Sequence, residues 1–412
     1  MKKFIPAIFL LFCFQPSFSQ DTLSFMYYNI LNYSPTVPAN AKDLRGIVQS
    51  INPDIFVTDE ISDEASATQI LASVLNVNAQ HNYKRAVFID GPDKDNMLFY
   101  NADKISLYSQ DTIQTDLRLI NEYRCYYNNA TYLSQHDTVF FYVYAAHLKA
   151  SQGYESNRYQ EVLRFKSHLN EIPGRKNIFF GGDFNFYTSA EPAFTELTAS
   201  GDYQFFDPID SIGNWHDNAA FSPVHTQSTR MRQFGGGATG GLDDRFDFIM
   251  TTKDLIDGSH AMRYIPGTYR AYGNDGNHLN DSLTMLPLDP SIPDSVTYHL
   301  YNLSDHLPVL MKTFVNFNAA VPGHENSFAY TLHVYPNPAE NLLCYKLPAA
   351  SGNVLLKLYN YMGQVVSIIH PDISSGNEQK IMLDNSLGNG VYILELVTSS
   401  GVWSSRFVLH RK

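Results

Sequence analysis

Residues 176–187 read KNIFFGGDFNFY. Ile178, Phe179 and Phe180 follow one another with no polar residue between them, so a strand here has apolar side chains on both faces and is buried between layers. The run then meets Gly181-Gly182-Asp183-Phe184-Asn185. Side chains of an extended chain alternate, so Asp183 and Asn185 are expected on one face and Phe184 on the other. The glycines admit a close approach by another group, phosphate or metal. A carboxylate and an amide on one edge of a buried strand are either a capped strand end or half of a phosphate site.

The surrounding text alternates strands and helices from residue 22 to about 316. LSFMYYNIL (23–31), DIFVTDE (54–60), NMLFYN (96–101), TVFFYVYAAHL (138–148), RFDFIMTT (245–252) and HLPVLMKTF (306–314) read as strands. Leu44, Ile47, Val48 and Ile51 mark one helix face, stopped by Asn52-Pro53. Val162, Phe165, Leu169 and Ile172 mark another, with Ser156 or Asn157 as its cap. Several strand-to-strand gaps are too short for a helix, so antiparallel pairs are expected within an α/β domain. AAVPGHENSFAY (319–330) reads as a linker. Only short strands with regular turn signals follow it, the pattern of a small all-β sandwich.

A chain of 412 residues exceeds one ordinary core, so two domains are expected. The formal charge of −12 removes any bulk attraction to nucleic acid or anionic membrane. A polyanionic substrate would have to be met by metal ions or a few local cations. Residues 1–19 read as a signal peptide: Lys2 and Lys3, an apolar run from Phe4 to Phe14, then Ser17-Phe18-Ser19. The run falls short of the ~20 residues that span a bilayer, and Phe12 before Cys13 does not suit lipidation. No transmembrane segment is expected. Cys13 leaves with the leader; Cys125 and Cys344 are expected in different domains, without a disulfide.

Polar residues cluster at the ends of the strands: Asn29, Thr58-Asp59-Glu60, His147, Asp183 and Asn185, Arg245-Phe246-Asp247, and Ser304-Asp305-His306-Leu307-Pro308. In an open α/β scaffold such groups converge on one crevice. Singly, each has a plain structural role: Asn29 in a turn, His147 half-buried and satisfied, Asp247 paired with Arg245. Together they hold what metal-assisted phosphodiester hydrolysis needs. Hard oxygen ligands suit Mg²⁺ or Mn²⁺. An imidazole with a pKa near ~6.5 can activate water, and a carboxylate can orient it.

These stretches, in this order over residues 22–316, resemble the endonuclease/exonuclease/phosphatase superfamily with its deoxyribonuclease-I-like fold. The resemblance implies a catalytic domain over residues 20–318, built as a four-layer sandwich of two mixed β-sheets flanked by helices. It implies Glu60 as main metal ligand with Asn29 and Asp305 beside it, the ion being Mg²⁺ or Mn²⁺, with Ca²⁺ also compatible. His306 would be general base or phosphate contact, oriented by Asp247. Asp183 would position water or a second metal, Asn185 would bind a phosphate oxygen, and His147 would face the leaving group or the phosphate. Both Asp305 and His306 reach one site only if the chain bends before the last strand. By position, Asp90 would support His147 and Arg124 would bind phosphate; Asn277 and His278 lie in a turn-rich loop that would face substrate. Arg230 and Arg232 are the local cations expected to meet a nucleic-acid backbone.

Nucleic acid, DNA above all, is the expected substrate. A sphingomyelinase or phosphatase of the same fold, or a non-catalytic surface or adhesion protein, are the alternatives. His147 stands where the abasic-site repair branch has tyrosine. Residues 331–412 resemble the sorting domain of the type IX secretion system of Bacteroidetes, through Tyr335-Pro336-Asn337-Pro338-Ala339, Leu358-Tyr359-Asn360-Tyr361-Met362-Gly363-Gln364 and Leu387-Gly388-Asn389-Gly390-Val391-Tyr392. That implies type IX machinery as partner and a secreted or surface location. A monomer is expected.

Overall fold

The computed structural model describes residues 21–77, 81–128, 138–315, 329–332, 334–346, 355–360, 365–369, 378–398 and 401–411. The expected leader and residues 319–328 of the expected linker lie outside them. The chain divides into two compact units, Met1–Ala319 and Ala320–Lys412.

The first unit holds two sheets among its described residues. One is seven-stranded. Its strands are β1 (Asp21–Tyr33), β2 (Ile55–Ile61), β3 (Tyr83–Arg85), β4 (Asp95–Asn101), β11 (Met262–Tyr264), β12 (Arg270–Ala271) and β13 (Val309–Val315). They lie in the order β11-β13-β1-β2-β4-β3, with β12 also on β13. The other has six strands: β5 (Ile105–Gln114), β6 (Leu119–Tyr127), β7 (Phe140–Ala145), β8 (Ile178–Asp183), β9 (Phe205–Phe206) and β10 (Asp247–Thr252). Their order is β5-β6-β7-β8-β10-β9.

Both sheets are mixed, and the mixture decides where the strand ends fall. β1 runs parallel to β2 and antiparallel to β13. β8 runs parallel to β7 and antiparallel to β10. The C-terminal ends of β1, β2, β7 and β8 therefore lie at the same edge as the N-terminal ends of β10 and β13. Asp247 pairs directly with Asp183, and Asn29 with Asp59.

The sheets pack face to face through aromatic rings. Phe25 of β1 stacks on Phe179 of β8 with centroids 4.1 Å apart, and Phe141 meets both rings edge-on. On the other side of β8, Phe180 stacks on Phe165 of the helix Glu155–Glu171 at 3.9 Å. Both faces of the IFF run are thus buried, as a strand without a polar face requires. Leu44, Ile47 and Val48 of the helix Pro38–Ile51 and Val296, Leu300 and Leu303 of the helix Asp294–Leu303 join the core on the outside of the first sheet. The result is a four-layer helix–sheet–sheet–helix sandwich. One terminus differs from expectation: Ser156 and Asn157 sit inside the helix Glu155–Glu171, whose cap position is Tyr154 and carries no side-chain cap.

The glycines of the opening motif serve the packing of the sheets. A Cβ at Gly182, whose φ is +130°, would lie 2.2 Å from the Ala146 carbonyl oxygen, and one at Gly181 would lie 2.6 Å from the Phe248 carbonyl and 2.8 Å from the Tyr27 ring. Close approach is required here, but by neighbouring strands and a core tyrosine rather than by phosphate or metal.

The second unit contains a five-stranded sheet and a three-stranded one, built from β14 (Ala329–Thr331) through β21 (Gly401–Leu409). Leu343, Tyr345, Leu356, Leu394, Leu396 and Phe407 form its core. Ala329 and Tyr330, expected in the linker, belong to β14. Cys125 and Cys344 are both free and buried, one in each unit.

Candidate active site

At the shared edge of the two sheets, one carboxylate oxygen forms a hub. Asp183 Oδ2 accepts from Asn29 Nδ2 at 3.1 Å and lies 3.4 Å from His147 Nε2 and 3.5 Å from His306 Nε2. Asn29 Nδ2 also reaches Glu60 Oε1 at 3.2 Å, and His147 Nδ1 lies 3.9 Å from the same oxygen. His306 Nδ1 is 2.7 Å from Asp247 Oδ2. Asn185 Nδ2 donates to Asp183 Oδ1 at 2.8 Å. Asn29, Glu60, His147, Asp183, Asn185, Asp247 and His306 are therefore gathered in one place, all largely buried.

Local backbone devices aim these side chains. Glu60 sits where the pairing of β2 with both neighbours shifts register, and its φ is +60°. Such a bulge turns a side chain that regular alternation would place elsewhere. Asn185 lies beyond the end of β8 with φ +54°, and its own amide N–H donates to Asp183 Oδ1. It reaches Asp183 by that turn, not by strand alternation. Ser304 anchors the bend before β13: its Oγ donates to the Asn29 carbonyl and accepts from the His306 amide. Thr226 Oγ1 accepts from the amides of Phe246 and Asp247, which fixes the start of β10.

The electrostatics separate the two histidines. Burial, with Arg118 and His306 nearby, drives His147 well below the ordinary imidazole range. Burial opposes charge on His306 too, yet Asp247, Asp183 and Asp305 together hold its pKa well above that range. Burial pushes the Asp183 carboxyl up to about 7 against the pull of His306. Asp247 Oδ1 and Asp305 Oδ1 are buried and have no hydrogen-bond partner. One ligand atom from each of Asp183, Asp247 and His306 lies within 4.8 Å of the others. The orphaned oxygens of Asp247 and Asp305, with the carboxylates of Asp183 and Glu60, are hard-oxygen donors of the kind that fits a divalent cation.

Asp305 is near but separately held. Its Oδ2 accepts from Gln227 Nε2 at 3.1 Å and from the Ala238 amide at 2.6 Å. Gln227 Nε2 is also 2.6 Å from His306 Nε2, so this residue ties the two neighbours together. Asp90 is exposed, and the carboxylates at His147 are Glu60 and Asp183 instead. Arg124 lies back from the strand end, on the face of β6 opposite the core residues Tyr123 and Cys125, stacked 4.2 Å over Phe140 and 4.7 Å over Tyr108. Asn277 and His278 spend their side chains inside their own loop, on Asp275 and the Met285 carbonyl. Arg230 is buried against backbone carbonyls, and Arg232 is exposed. Arg245 pairs with Asp207, which leaves Asp247 to His306.

Several neighbours carry no legible signal of their own. Asp59 Oδ2 accepts from the Asp183 amide at 2.9 Å. Lys94 Nζ lies 3.7 Å from Glu60 Oε2. Arg118 donates to the carbonyls of His147 and Leu148 and pairs with Asp93. Only Asp59 had a hint, as one of two consecutive acids ending a strand. His216, Asp243 and Asp244 form a second acidic group, closed by a 2.8 Å contact between His216 Nδ1 and Asp244 Oδ1.

Comparison with known proteins places this arrangement. The model of the Endonuclease/Exonuclease/phosphatase family matches residues 26–306, and that of the secretion system C-terminal sorting domain matches residues 333–410. No curated protein matches. Among solved structures, the human Nocturnin catalytic domain with bound sulfate is 16% identical, covers 71% of this chain and 97% of its own, and superposes with a TM-score of 0.45. TDP2 of D. rerio complexed with a single-stranded DNA product is 12% identical over 71% and 98%, with a TM-score of 0.46. A mannosyl-6-phosphatase of Bacteroides thetaiotaomicron is 15% identical over 71% and 99%, with a TM-score of 0.43. With its family model spanning residues 26–306, this chain belongs to the Endonuclease/Exonuclease/phosphatase family, whose members hydrolyse phosphoric esters.

Proposed function

We propose that this protein is a secreted, divalent-metal-dependent phosphodiesterase that cleaves nucleic acid, DNA in preference, as a monomer. The observation that supports this best is Asp183 Oδ2, set between the Nε2 atoms of His147 and His306 at 3.4 and 3.5 Å. Two imidazoles brought by different sheets flank one carboxylate, so an attacking water and an anionic phosphoryl group can each be met by an imidazole nitrogen.

Glu60 and Asn29 would hold the cation, with Asp305 contributing; Mg²⁺ or Mn²⁺ suits the oxygen donors, and Ca²⁺ is compatible with them. When bound, the ion adds positive charge against the phosphoryl oxygens. Asp247 fixes the His306 ring through Nδ1, so Nε2, once deprotonated at a pH above its raised pKa, is the atom that takes a proton from water. Asp183 orients that water. Asn185 restrains Asp183 from the other oxygen and, by giving up its 3.3 Å bond to the Leu148 carbonyl, can turn an N–H to phosphate. His147, kept neutral by burial, donates a hydrogen bond to the phosphate or the leaving oxygen. Lys94 and Arg118 supply local positive charge that an acidic protein otherwise lacks.

Trp215 is fully buried, with its Nε1 donating to the Ser211 carbonyl, so it is no bilayer anchor of the kind a sphingomyelinase would use. The sorting tail, with the leader expected over residues 1–19, supports export by the type IX route, to the surface or the medium. The purified chain, assayed side by side on plasmid DNA, RNA, sphingomyelin micelles and sugar or inositol phosphates, tests the reading. Nucleic-acid cleavage with Mg²⁺ or Mn²⁺, lost in chelator, is expected. Hydrolysis confined to monoesters or lipid would overturn the substrate class; no hydrolysis of any would overturn the enzyme.

A further inference from the structure

Arg230 was expected at the substrate, yet it is 1% exposed. Its donors go to four backbone carbonyls. Nε reaches Tyr301 at 2.9 Å and Nη2 reaches Asn302 at 3.0 Å, both in the last turn of the helix Asp294–Leu303. Nη1 reaches Phe234 at 3.0 Å and Gly236 at 3.3 Å, and the guanidinium stacks 4.0 Å over the Phe234 ring. A cation at the carbonyl end of a helix is favourably placed. Here it also joins that end to the glycine turn 234–241.

This turn runs directly over Asp305. Gly235, Gly236, Gly237, Gly240 and Gly241 all have positive φ. The amides of Gly240 and Gly241 return to the Arg230 carbonyl at 3.0 and 3.1 Å. Ser228 Oγ donates to the Ala238 carbonyl, and the Thr229 amide donates to the Asp305 carbonyl. The Ala238 amide then donates to Asp305 Oδ2 at 2.6 Å. A Cβ at Gly237 would come within 2.6 Å of the Asp305 carboxyl carbon. Asp305 is 2% exposed, and its second oxygen, Oδ1, has no partner.

We propose that Arg230 is a positioning residue for Asp305. The guanidinium fastens the glycine turn to the end of the helix, the turn presents the Ala238 N–H to one carboxylate oxygen, and the other oxygen is thereby left oriented toward a divalent cation. The inference rests on the metal-dependent reading above. Arginine is needed because one planar group must donate to two segments at once; an ammonium is a point charge and cannot span both. Groups that orient ligands from behind change metal affinity about 10- to 100-fold when removed.

The test uses the full chain, with Mn²⁺ as the probe, in the wild type, Arg230→Lys and Gly237→Ala. Two quantities are read: Mn²⁺ affinity by electron paramagnetic resonance, and amide exchange across 234–241 in metal-free protein. Arg230→Lys should speed exchange at Ala238 and weaken Mn²⁺ by ~10- to 100-fold, with kcat at saturating Mn²⁺ within ~3-fold of wild type. Gly237→Ala keeps Arg230 and disturbs Asp305 directly; it should weaken Mn²⁺ to a similar degree, and it decides the matter if the arginine variant does not fold. Faster exchange with unchanged Mn²⁺ affinity would overturn the inference, as would unchanged affinity in Gly237→Ala. A wild type that binds no Mn²⁺ would sink the metal reading and the inference together, whereas equal binding by all three proteins would sink the inference alone.

Discussion

Replacing His306 by alanine, Asp247 by asparagine, and both at once asks whether the two residues act as a unit. His306 Nδ1 lies 2.7 Å from Asp247 Oδ2, and both side chains are buried. Alanine at 306 removes a proton acceptor, worth ~10²- to 10⁴-fold, and a contact to the charged transition state, worth ~10²-fold or more. A loss of at least ~10⁴ in kcat is expected. Asparagine at 247 keeps the shape, but Asp247 Oδ1 has no other hydrogen-bond partner, so nothing dictates which way the amide turns. Its NH₂ can then face Nδ1 and impose the wrong tautomer, at a cost of ~10³-fold or more. The double variant should be little worse than His306→Ala, because the carboxylate has nothing left to orient. Independent effects would multiply to ~10⁷; the shortfall of three decades is a coupling of about 4 kcal/mol. In Asp247→Asn the carboxylate that raises the His306 pKa is gone, so the acid limb of the pH–rate profile should move to lower pH. Initial rates on a small aryl phosphodiester with Mn²⁺, with circular dichroism melts to verify folding, give all four kcat values. Fully multiplicative losses would refute the pairing and leave Asp247 a purely structural acid.

Glu60→Gln preserves the side chain's size but deletes its charge; if several kcal/mol of transition-state stabilisation depends on the ion it holds, turnover should fall ~10²-fold or more, and activity of the variant in chelator would show that Glu60 is no ligand. Cutting the chain after Ala319 should leave purified enzyme active, since the first unit has its own cores, while export stops; continued export of the truncated chain would remove the sorting role from the second unit. His225 is fully buried, with Nε2 2.7 Å from the Trp215 carbonyl, and burial lowers its pKa. The unfolded chain therefore takes up a proton first as pH falls through ~6.5, so stability present above that pH is lost on acidification. His225→Gln should shrink the Tm difference between about pH 7.5 and 5.5, and an unchanged difference would mean that other groups set it.

The layered architecture was readable because both sheets repeat one physical statement: strands such as IFF, with no polar face, need cover on two sides. The cluster was readable because polar residues interrupting apolar strands at their ends are costly unless they work together. What was not readable depended on registers and turns. Strand alternation puts Asp183 and Asn185 on one face, but a left-handed turn at Asn185 is what joins them. Arg124 looked like a phosphate ligand by position; only the pairing of β6 reveals that it faces away among Tyr108, Phe140 and Tyr142. β5 is not legible in the sequence because it is an edge strand with exposed polar residues, so it has no apolar run. The helix Asp294–Leu303 shows itself through Val296, Leu300 and Leu303 alone, too few positions to set it apart from a loop. Gln227 and Ala238 act on Asp305 across a long gap in sequence, which no local pattern encodes.

The two thiols of the described residues are each hidden in a different unit, and neither is joined to another. Burial raises the Cys125 pKa, so almost none of it is thiolate. A fold held in this way does not depend on a disulfide among its described residues. Among the described residues reductants find no cystine to open, and oxidants find no exposed thiol with which to link neighbouring molecules. For these two thiols, unfolding is the step that must come before any thiol exchange.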